Sequence, residues 1–278
     1  MIALLQGILE RGLIFALVVA GVYIASRIIN FDNLAVEGAF GLGGALSAQA
    51  IVYGFNPLYG FLGAVCIGIV SGLATGLLYT KLRLNNLISG IVLTTASFSF
   101  VLKIAGANVP LHGKPTIFSS FADSSYGVLM ILIFFVGLVF LLVKWLLQTQ
   151  VGFLLQAVGD NPQMLLNIGK SVDGYIILGL IISNTLAALS GALFVQYLGY
   201  FSIWASMGVL ILGIAALIVA EAFSKQFGFV LILGSVIYQA LIAATFELNI
   251  DQDWNKLVTA VLIVILIMLK NSMRTQQG

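Results

Sequence analysis

The sequence has few charged residues. Only 8% of its 278 residues are Asp, Glu, Lys or Arg, whereas 61% are hydrophobic. Soluble domains carry roughly 25% charged residues, so this chain has too few charges to cover a water-facing surface. That shortage excludes an ordinary cytosolic enzyme, a nucleic-acid binder and a disordered protein. The net charge of +2 gives no sign of an anionic partner.

Cysteine and histidine are equally scarce. The single cysteine, Cys66, permits no intrachain disulfide and no metal site built on cysteines. The single histidine, His112, lies in the loop 109–115, where we expect a solvated side chain rather than a catalytic one. Gly169-Lys170-Ser171 resembles the end of a phosphate-binding loop, but Met164 stands where that motif needs its first glycine. We therefore expect no ATPase site, no enzyme activity and no cofactor.

Long apolar runs take the place of charge. A membrane-spanning helix needs about 20 apolar residues, and gaps in the hydropathy predict an all-α bundle of eight or nine spans in one transmembrane domain, 1–278. The predicted spans are 12–30, 36–53, 57–80, 85–105, 126–147, 174–198, 207–224, 228–246 and 256–271. The second segment is rich in glycine and begins with Glu37. Eight full spans with one broken or re-entrant segment would therefore fit equally well.

Lysine and arginine predict the orientation, because they are retained on the cytoplasmic face. With the N-terminus outside, the inner face holds eight of them and the outer face four. The inner set is Arg27, Lys81, Arg83, Lys144, Lys170, Lys225, Lys270 and Arg274, and the outer set is Arg11, Lys103, Lys114 and Lys256. We therefore predict an outer N-terminus and an inner C-terminus, and we expect Asp251 to face outward.

Small residues recur at four-residue spacing, which places them on one face of a helix. In lipid, such faces allow close approach of helix backbones. We expect them to pack the bundle, with a subunit interface as the alternative. The three sets are Gly68, Gly72 and Gly76; Gly12, Ala16 and Ala20; and Ser183, Ala187 and Gly191.

A short motif also recurs. Gly44-Ala45-Leu46 followed by Gln49 returns 147 residues later as Gly191-Ala192-Leu193 followed by Gln196. Transporters are often built from internal duplications, although one short match in a chain of low complexity also arises by chance.

The polar residues within the predicted spans are almost all neutral. Asn86, Gly90, Thr94 and Ser97 form one stripe on the fourth span, and Asn184 and Gln196 lie on the sixth. Intramembrane polar groups either join helices or line a pathway, so two interpretations stay open: interhelical hydrogen bonds, or the wall of a translocation pathway. Glu221 is expected to pair with Lys225, four residues on.

The longest inner loop, 148–173, contains signals for a short rigid helix. Asp160 or Asn161 is suited to its N-cap, Pro162 to its first turn and Gly169 to its end. The chain has no expected ATPase site of its own but has a stiff cytoplasmic helix. This combination suggests that the helix is a docking element for a separate motor subunit. A plain structural loop is the alternative.

This loop resembles a known family. Ala157-Val158-Gly159-Asp160-Asn161-Pro162, followed by Ile168-Gly169, is similar to the coupling-helix loop of permease subunits in ABC importers of the branched-chain-amino-acid and ribose type. Further stretches resemble the tryptophan/tyrosine-type subgroup of these permeases, and together they cover nearly the whole chain. They are 27–40 with 42–45, 80–82, 87–91, 107–110, 178–196 and 213–223. Ala220 departs from the pattern, which has glycine before the residue equivalent to Glu221.

The resemblance implies an all-helical permease that pairs with a second permease, most often a copy of itself. It implies a cytoplasmic ATP-binding subunit, an extracytoplasmic solute-binding protein and a place among the lipids of a prokaryotic plasma membrane. ATPase coupling would fall to Gly159, Asp160, Asn161, Pro162, Leu165 and Gly169. The implied solute is an amino acid, with aromatic ones associated with the subgroup. The runner-up interpretation is a stand-alone secondary transporter or facilitator for a small neutral or zwitterionic solute.

Overall fold

A computed structural model describes residues 2–121, 126–224 and 227–247, together with the single helical positions 257, 261, 264 and 268. Helices account for almost all of this part of the chain. They are α1 Ile2–Tyr23, continued by a π-helix Ile24–Ile28, α2 Ala35–Val52, α3 Pro57–Thr80, α4 Asn86–Ala105, α5 Gly127–Leu147, α6 Gln150–Asp160, α7 Pro162–Asn167, α8 Val172–Leu198, α9 Val209–Glu221 and α10 Phe229–Glu247.

The all-α membrane bundle predicted from the hydropathy is confirmed, but the count of eight or nine spans is not. Seven helices in the described part of the chain are long and apolar enough to cross a membrane, and Phe229–Thr245 is a shorter apolar helix. The ninth predicted span, 256–271, lies outside the described residues except for four isolated positions. Five residues of the predicted topology also lie outside the described part of the chain: Lys225, Asp251, Lys256, Lys270 and Arg274. The predicted boundaries of the other spans agree with the helices to within a few residues, except that α1 begins at Ile2.

Asparagine and proline set several of these boundaries. The Asn56 side chain accepts a hydrogen bond from the backbone N–H of Leu58, and Pro57 occupies the first turn of α3. Asn85 caps α4 in the same way through the N–H of Leu87. These side chains satisfy backbone donors that the first helical turn leaves without intrahelical partners.

Of the two interpretations left open for the second span, the structure favours the regular one, because α2 is one continuous helix of 18 residues. The chain is instead irregular on either side of it, at 29–34 and again between α8 and α9. The first of these segments leads into the bundle: Asn30 and Asp32 are exposed, whereas Ile29, Phe31 and Asn33 are buried. Asn33 contacts Ser183 and Asn184, which are at the middle of the 27-residue α8. Non-helical backbone at this depth is tolerated because protein surrounds it.

The glycine stripe of α3 packs against α8. A Cβ at Gly68, Gly72 or Gly76 would come within 2.4–2.7 Å of Thr185, Ile181 or Ile177. Contacts shorter than about 3 Å leave no room for a side chain, so these helices approach backbone to backbone. The predicted bundle-packing role is confirmed for this stripe.

The repeated glycine motif lies where α2 crosses α8. A Cβ at Gly191 would lie 2.0 Å from the carbonyl oxygen of Phe40 and 3.1 Å from the backbone nitrogen of Gly44. Both copies of the motif therefore serve one crossing. This contact accounts for the glycines whether or not the chain arose by duplication.

A small antiparallel sheet marks one end of the bundle. Strand β1, Asn108–Pro110, follows α4 and pairs with β2, Tyr200–Ser202, which follows α8. We call this the sheet end, and the opposite end, where α6 and α7 lie, the α6–α7 end. Arg27, Lys81, Arg83, Lys144 and Lys170 belong to the α6–α7 end by chain order, and this end is the cytoplasmic one in the predicted topology.

Candidate functional site: the α6–α7 loop and the helices it contacts

The short helix predicted in the loop 148–173 is present as α7, and it is one half of a two-helix loop. Helix α6 ends at Asp160, Asn161 turns the chain, and α7 begins at Pro162. The Asn161 side chain accepts from the N–H of Met164 at 3.3 Å, so Asn161 is the N-cap, whereas Asp160 is the last residue of α6. Of the two predicted caps, Asp160 is therefore wrong and Asn161 is confirmed. Gly169 follows α7 with a φ of 73°, a left-handed conformation that favours glycine.

The two faces of α7 differ sharply. Leu165 is fully buried, at 0% exposure, and fixes α7 to its own bundle. Met164, Leu166 and Ile168 are about half exposed, at 55%, 54% and 55%. Three large apolar side chains are thus exposed around one turn, and exposed apolar patches are typical of interaction sites. We call these three residues the α7 face.

Helix α6 touches the membrane bundle at Gly159. A Cβ there would lie 2.1 Å from the carbonyl oxygen of Ile28, the last residue of the π-helix. Leu155 and Val158 on α6 are buried beside this contact. The close approach requires glycine, and it joins the α6–α7 loop directly to the end of the first membrane helix.

The end of α1 is wound more loosely than an α-helix. The N–H of Ile29 donates to the carbonyl of Ile24 at 3.1 Å, and that of Phe31 donates to Ala25 at 2.8 Å. Such π-helical turns are rare in proteins and are frequently found at functional sites.

Arg27 lies in this π-helix and forms a salt bridge through Nε with Oε1 of Glu221, the last residue of α9. The Glu221 side chain is 8% exposed and that of Arg27 is 47% exposed. Sequence reasoning missed this pair because the two residues are 194 positions apart. Lys225, the partner predicted for Glu221, lies outside the described residues.

A cavity of about 440 Å³ lies between the ends of α1, α5 and α6. Arg27, Lys144 and Asp160 are among the side chains that line it. Asp160 therefore faces the same space as the arginine of the ion pair.

The stripe predicted on α4 faces α2. The Thr94 hydroxyl donates to the carbonyl of Leu34 at 2.9 Å. Ser97 is buried against Gly38, whose Cβ would lie 2.7 Å from that of Ser97, and Gly90 packs in the same way on Leu34. These contacts give Thr94 and Ser97 partners within the bundle; whether the stripe also bounds a pathway stays a prediction.

Asn86, at the inner end of the stripe, is different. Its side-chain amide is 3.5 Å from Asp32 Oδ2, and this contact is exposed. Farther along α4, Thr95 and Ser99 are also exposed and donate only to carbonyls of their own helix, at 2.9 and 3.4 Å. The short 3₁₀ helix Ile203–Ala205 packs against α4, and its Trp204 is 63% exposed. We call Thr95, Ser99 and Trp204 the α4 face.

Asn184 is the centre of a buried polar network. Its amide donates to Ser71 at 3.1 Å and to Thr75 at 3.4 Å, and its oxygen accepts from Asn33 at 2.7 Å. Asn33 also donates to Ser183 at 3.1 Å. The network ties the 29–34 segment to α3 and α8. Asn33 falls inside the recognised stretch 27–40, but no spacing rule connects it to α8.

Gln196 is equally well bonded at the sheet end. Its amide donates to the hydroxyl of Ser47 at 3.0 Å and to the carbonyl of Pro57 at 3.2 Å, while its oxygen accepts from the N–H of Ile117 at 3.2 Å. It thereby joins α8 to α2, to the start of α3 and to the loop after β1.

The start of α9 lies beside the first turn of α2. Gly208, with a φ of 92°, precedes α9 and donates its N–H to Glu37 Oε1 at 3.0 Å. Gly41, one turn farther along α2, packs against Ser206. Because Gly38 is level with Ser97 near the middle of α4, helix α9 begins inside the bundle rather than at its surface. The sequence identified Glu37 only as the start of the second segment, so its contact with Gly208 was missed.

The structure is a multi-pass bundle with buried neutral polar contacts, helices that begin inside it and a two-helix loop at one end. These features define a class, the membrane subunit of a transporter. Comparison with known proteins then gives the family. Residues 4–267 match the family described as branched-chain amino acid transport system / permease component. The chain belongs to this family and is a permease component of an ABC-type transport system.

Individual relatives agree with this assignment. The chain is 34% identical over 263 residues to the tyrosine transport system permease protein of Clostridioides difficile (strain R20291), which covers 92% of this chain and 88% of that one. It is 31% identical over 267 residues to the uncharacterized protein RP368 of Rickettsia prowazekii, with 92% and 94% covered. The D-allose transport system permease protein AlsC of Escherichia coli is 28% identical over 250 residues, with 88% and 72% covered. No solved structure matches the chain.

Proposed function

We propose that this protein forms the solute pathway of an ABC importer for amino acids, with aromatic amino acids as the preferred class, and that a separate cytoplasmic ATPase drives it. The observation that carries the proposal is the α6–α7 loop. It presents the exposed α7 face on one side and contacts the π-helix of α1 through Gly159 on the other. A motor subunit bound to α7 would therefore act directly on a membrane helix.

The solute class rests on two observations. One is the relative named as a tyrosine transport system permease, which matches over most of both chains. The other is the α4 face, where two hydroxyls and an indole are exposed on the membrane bundle; Lys103, the one charged residue of α4, lies one turn beyond Ser99 toward the sheet end. Hydroxyl and aromatic walls suit a zwitterionic solute with an aromatic side chain better than a multiply charged one, whose desolvation is costly.

We place the pathway along this α4 face, between two copies of the chain. Asn86 lies at its inner end, and Thr94 and Ser97 pack α4 against α2 and the segment before it. Asn184 and Gln196 fix α8 to α2, α3 and the loops through buried hydrogen bonds. The complete importer would contain two permeases, two ATPase subunits and an extracytoplasmic solute-binding protein, in a bacterial plasma membrane.

The test is co-expression with the ATPase and binding-protein genes that neighbour this one. Membranes or proteoliposomes holding the complex should take up labelled tyrosine or tryptophan in an ATP-dependent manner, and the solute with its binding protein should stimulate ATP hydrolysis. Unlabelled D-allose should not compete. Uptake by the permease alone without ATP would instead favour a secondary transporter, and competition by allose would overturn the amino-acid assignment.

A further inference from the structure

The exposed α7 face accounts for contact with a motor, but it does not explain how movement would reach the membrane interior. Three further contacts bear on this. They are the Gly159–Ile28 backbone contact, the Arg27–Glu221 salt bridge and the Gly208–Glu37 hydrogen bond. Each joins a different pair of elements, and together they form one continuous path.

The first part of the path runs from the α6–α7 loop to α1. Gly159 lies against the carbonyl of Ile28 with no room for a side chain, so a displacement of α6 must move the π-helix or break this packing. The π-helical turn is a point where α1 can change its winding more easily than in a regular α-helix. Asp160 and Arg27 line the same cavity beside it.

The second part runs from α1 to α9. Arg27 belongs to the π-helix and Glu221 is the last residue of α9, so the salt bridge joins the element that α6 contacts to the inner end of a membrane helix. The carboxylate is buried and the guanidinium half exposed. A charge pair with one desolvated partner is attracted more strongly than an exposed pair and is screened less by salt.

The third part reaches the interior. Helix α9 spans only 13 residues, and Gly208, which directly precedes it, donates its N–H to Glu37 of α2. Helix α2 also packs against α4, the helix that carries the exposed hydroxyls of the α4 face. A shift of α9 along its axis would thus act on the helices that flank the proposed pathway.

We infer that the Arg27–Glu221 salt bridge is the positioning contact through which movement of the α6–α7 loop reaches α9 and the helices around the pathway. The inference rests on the proposed function, because it assumes a motor bound at the α7 face. A salt bridge that merely held the fold would affect stability and assembly. One that transmits movement affects the coupling between ATP hydrolysis and transport.

The experiment uses the full complex reconstituted with its ATPase and binding protein. Arg27→Gln and Glu221→Gln should leave complex assembly and basal ATP hydrolysis in place while lowering solute transported per ATP by about tenfold. The single variants Arg27→Glu and Glu221→Arg should each lower the coupling between ATP hydrolysis and transport. The double variant that carries both changes should recover most of it, because the charge pair is restored with its signs exchanged. Glu10→Gln is the matched control: this buried carboxylate accepts hydrogen bonds from Gln6 and Tyr197 at the sheet end, away from the path.

If the wild-type complex couples ATP hydrolysis to transport and both single variants transport as much solute per ATP as wild type, the inference is overturned and the proposed function stands. Loss of assembly in the single variants, with no recovery in the double variant, would also overturn it, because the pair would then be structural. A wild-type permease that neither binds the ATPase nor transports with it would overturn the proposed function, and this inference with it.

Discussion

Asn33 and Asn184, 151 residues apart in sequence, are joined in the buried centre of the bundle by a hydrogen bond of 2.7 Å. The contact fixes an irregular segment against α8, where backbone and amide groups have no water to bond. It is the reason that the chain between α1 and α2 can leave the helical conformation inside the membrane.

Replacing Asn184 by Leu should therefore destabilise the protein. The change removes one hydrogen bond each from Asn33, Ser71 and Thr75, at a combined cost of about 1–3 kcal/mol. Asn33 keeps its bond to Ser183 and Thr75 its bond to the carbonyl of Ser71, whereas the buried Ser71 hydroxyl loses the amide that donates to it. SDS titration of the purified protein in micelles measures the loss. The control is Thr95→Ala, since the Thr95 hydroxyl is exposed and bonds only to its own helix. Equal stability of the Asn184 variant and wild type would contradict the network's role.

Variants of the adjacent residues Thr94 and Thr95 on α4 should have different effects, the first on stability and the second on solute uptake. Thr94→Val removes the hydrogen bond to Leu34 and should lower stability by about 0.5–1.5 kcal/mol. Thr95→Leu places an apolar group on the α4 face and should lower solute uptake with stability unchanged. Uptake and unfolding are measured on the same preparations. If Thr95→Leu transports normally, the pathway does not run along this face.

The two glycines Gly72 and Gly137 offer a matched pair for the helix packing. A Cβ at Gly72 would lie 2.4 Å from the Ile181 backbone, whereas a Cβ at Gly137 meets nothing within 4 Å. Gly72→Ala should cost about 1–3 kcal/mol by forcing α3 and α8 apart. Gly137→Ala should be neutral or slightly stabilising, because alanine is the better helix former. Thermal unfolding in detergent distinguishes them, and identical midpoints would argue against backbone contact between α3 and α8.

A second glycine pair tests the contact between the α6–α7 loop and α1. Gly159→Ala would place a methyl group 2.1 Å from the Ile28 carbonyl oxygen, whereas a Cβ at Gly174 has its nearest neighbour at 3.8 Å. Gly159→Ala should keep the ATPase bound through α7 but reduce solute-stimulated ATP hydrolysis. Gly174→Ala should behave like wild type. Normal stimulation in the Gly159 variant would exclude this contact from the coupling path.

The predicted topology can be checked by labelling single cysteines from outside intact cells. Cys66 is exposed and must first be replaced. Lys81→Cys and Lys170→Cys should be protected from an impermeant reagent, while Lys114→Cys should react. Reaction at position 170 without permeabilising the cells would invert the orientation and remove the α6–α7 loop from the cytoplasm.

The sequence was most informative where a local signal determines the structure. Asn161 with Pro162 marks a helix start that the structure reproduces, because a cap and a fixed proline φ depend on neighbouring residues alone. The four-residue spacing of Gly68, Gly72 and Gly76 also identified a packed face.

Contacts between distant segments could not be read in this way. Helical spacing predicted Lys225, which lies outside the described residues, as a partner of Glu221; the salt bridge between Glu221 and Arg27 on another helix had no local signal. Asn33 and Glu37 were given no partners, since nothing in the local pattern shows that they contact α8 and the start of α9. Asp160 was named as a cap because it precedes a proline by two positions, but the preceding helix α6 extends to include it.

The central claim, that a separate ATPase binds the α7 face, is tested most directly by cross-linking from that face. A photoreactive amino acid at Met164 or Ile168, both about half exposed, should yield a covalent adduct with the ATPase subunit in membranes that contain the whole complex. The same group at Leu62, an exposed position on α3 near the sheet end, should yield none. An ATPase adduct from positions 164 and 168 but not from 62 is the result the account predicts. An intact, transport-competent complex with no adduct from the α7 face would contradict it.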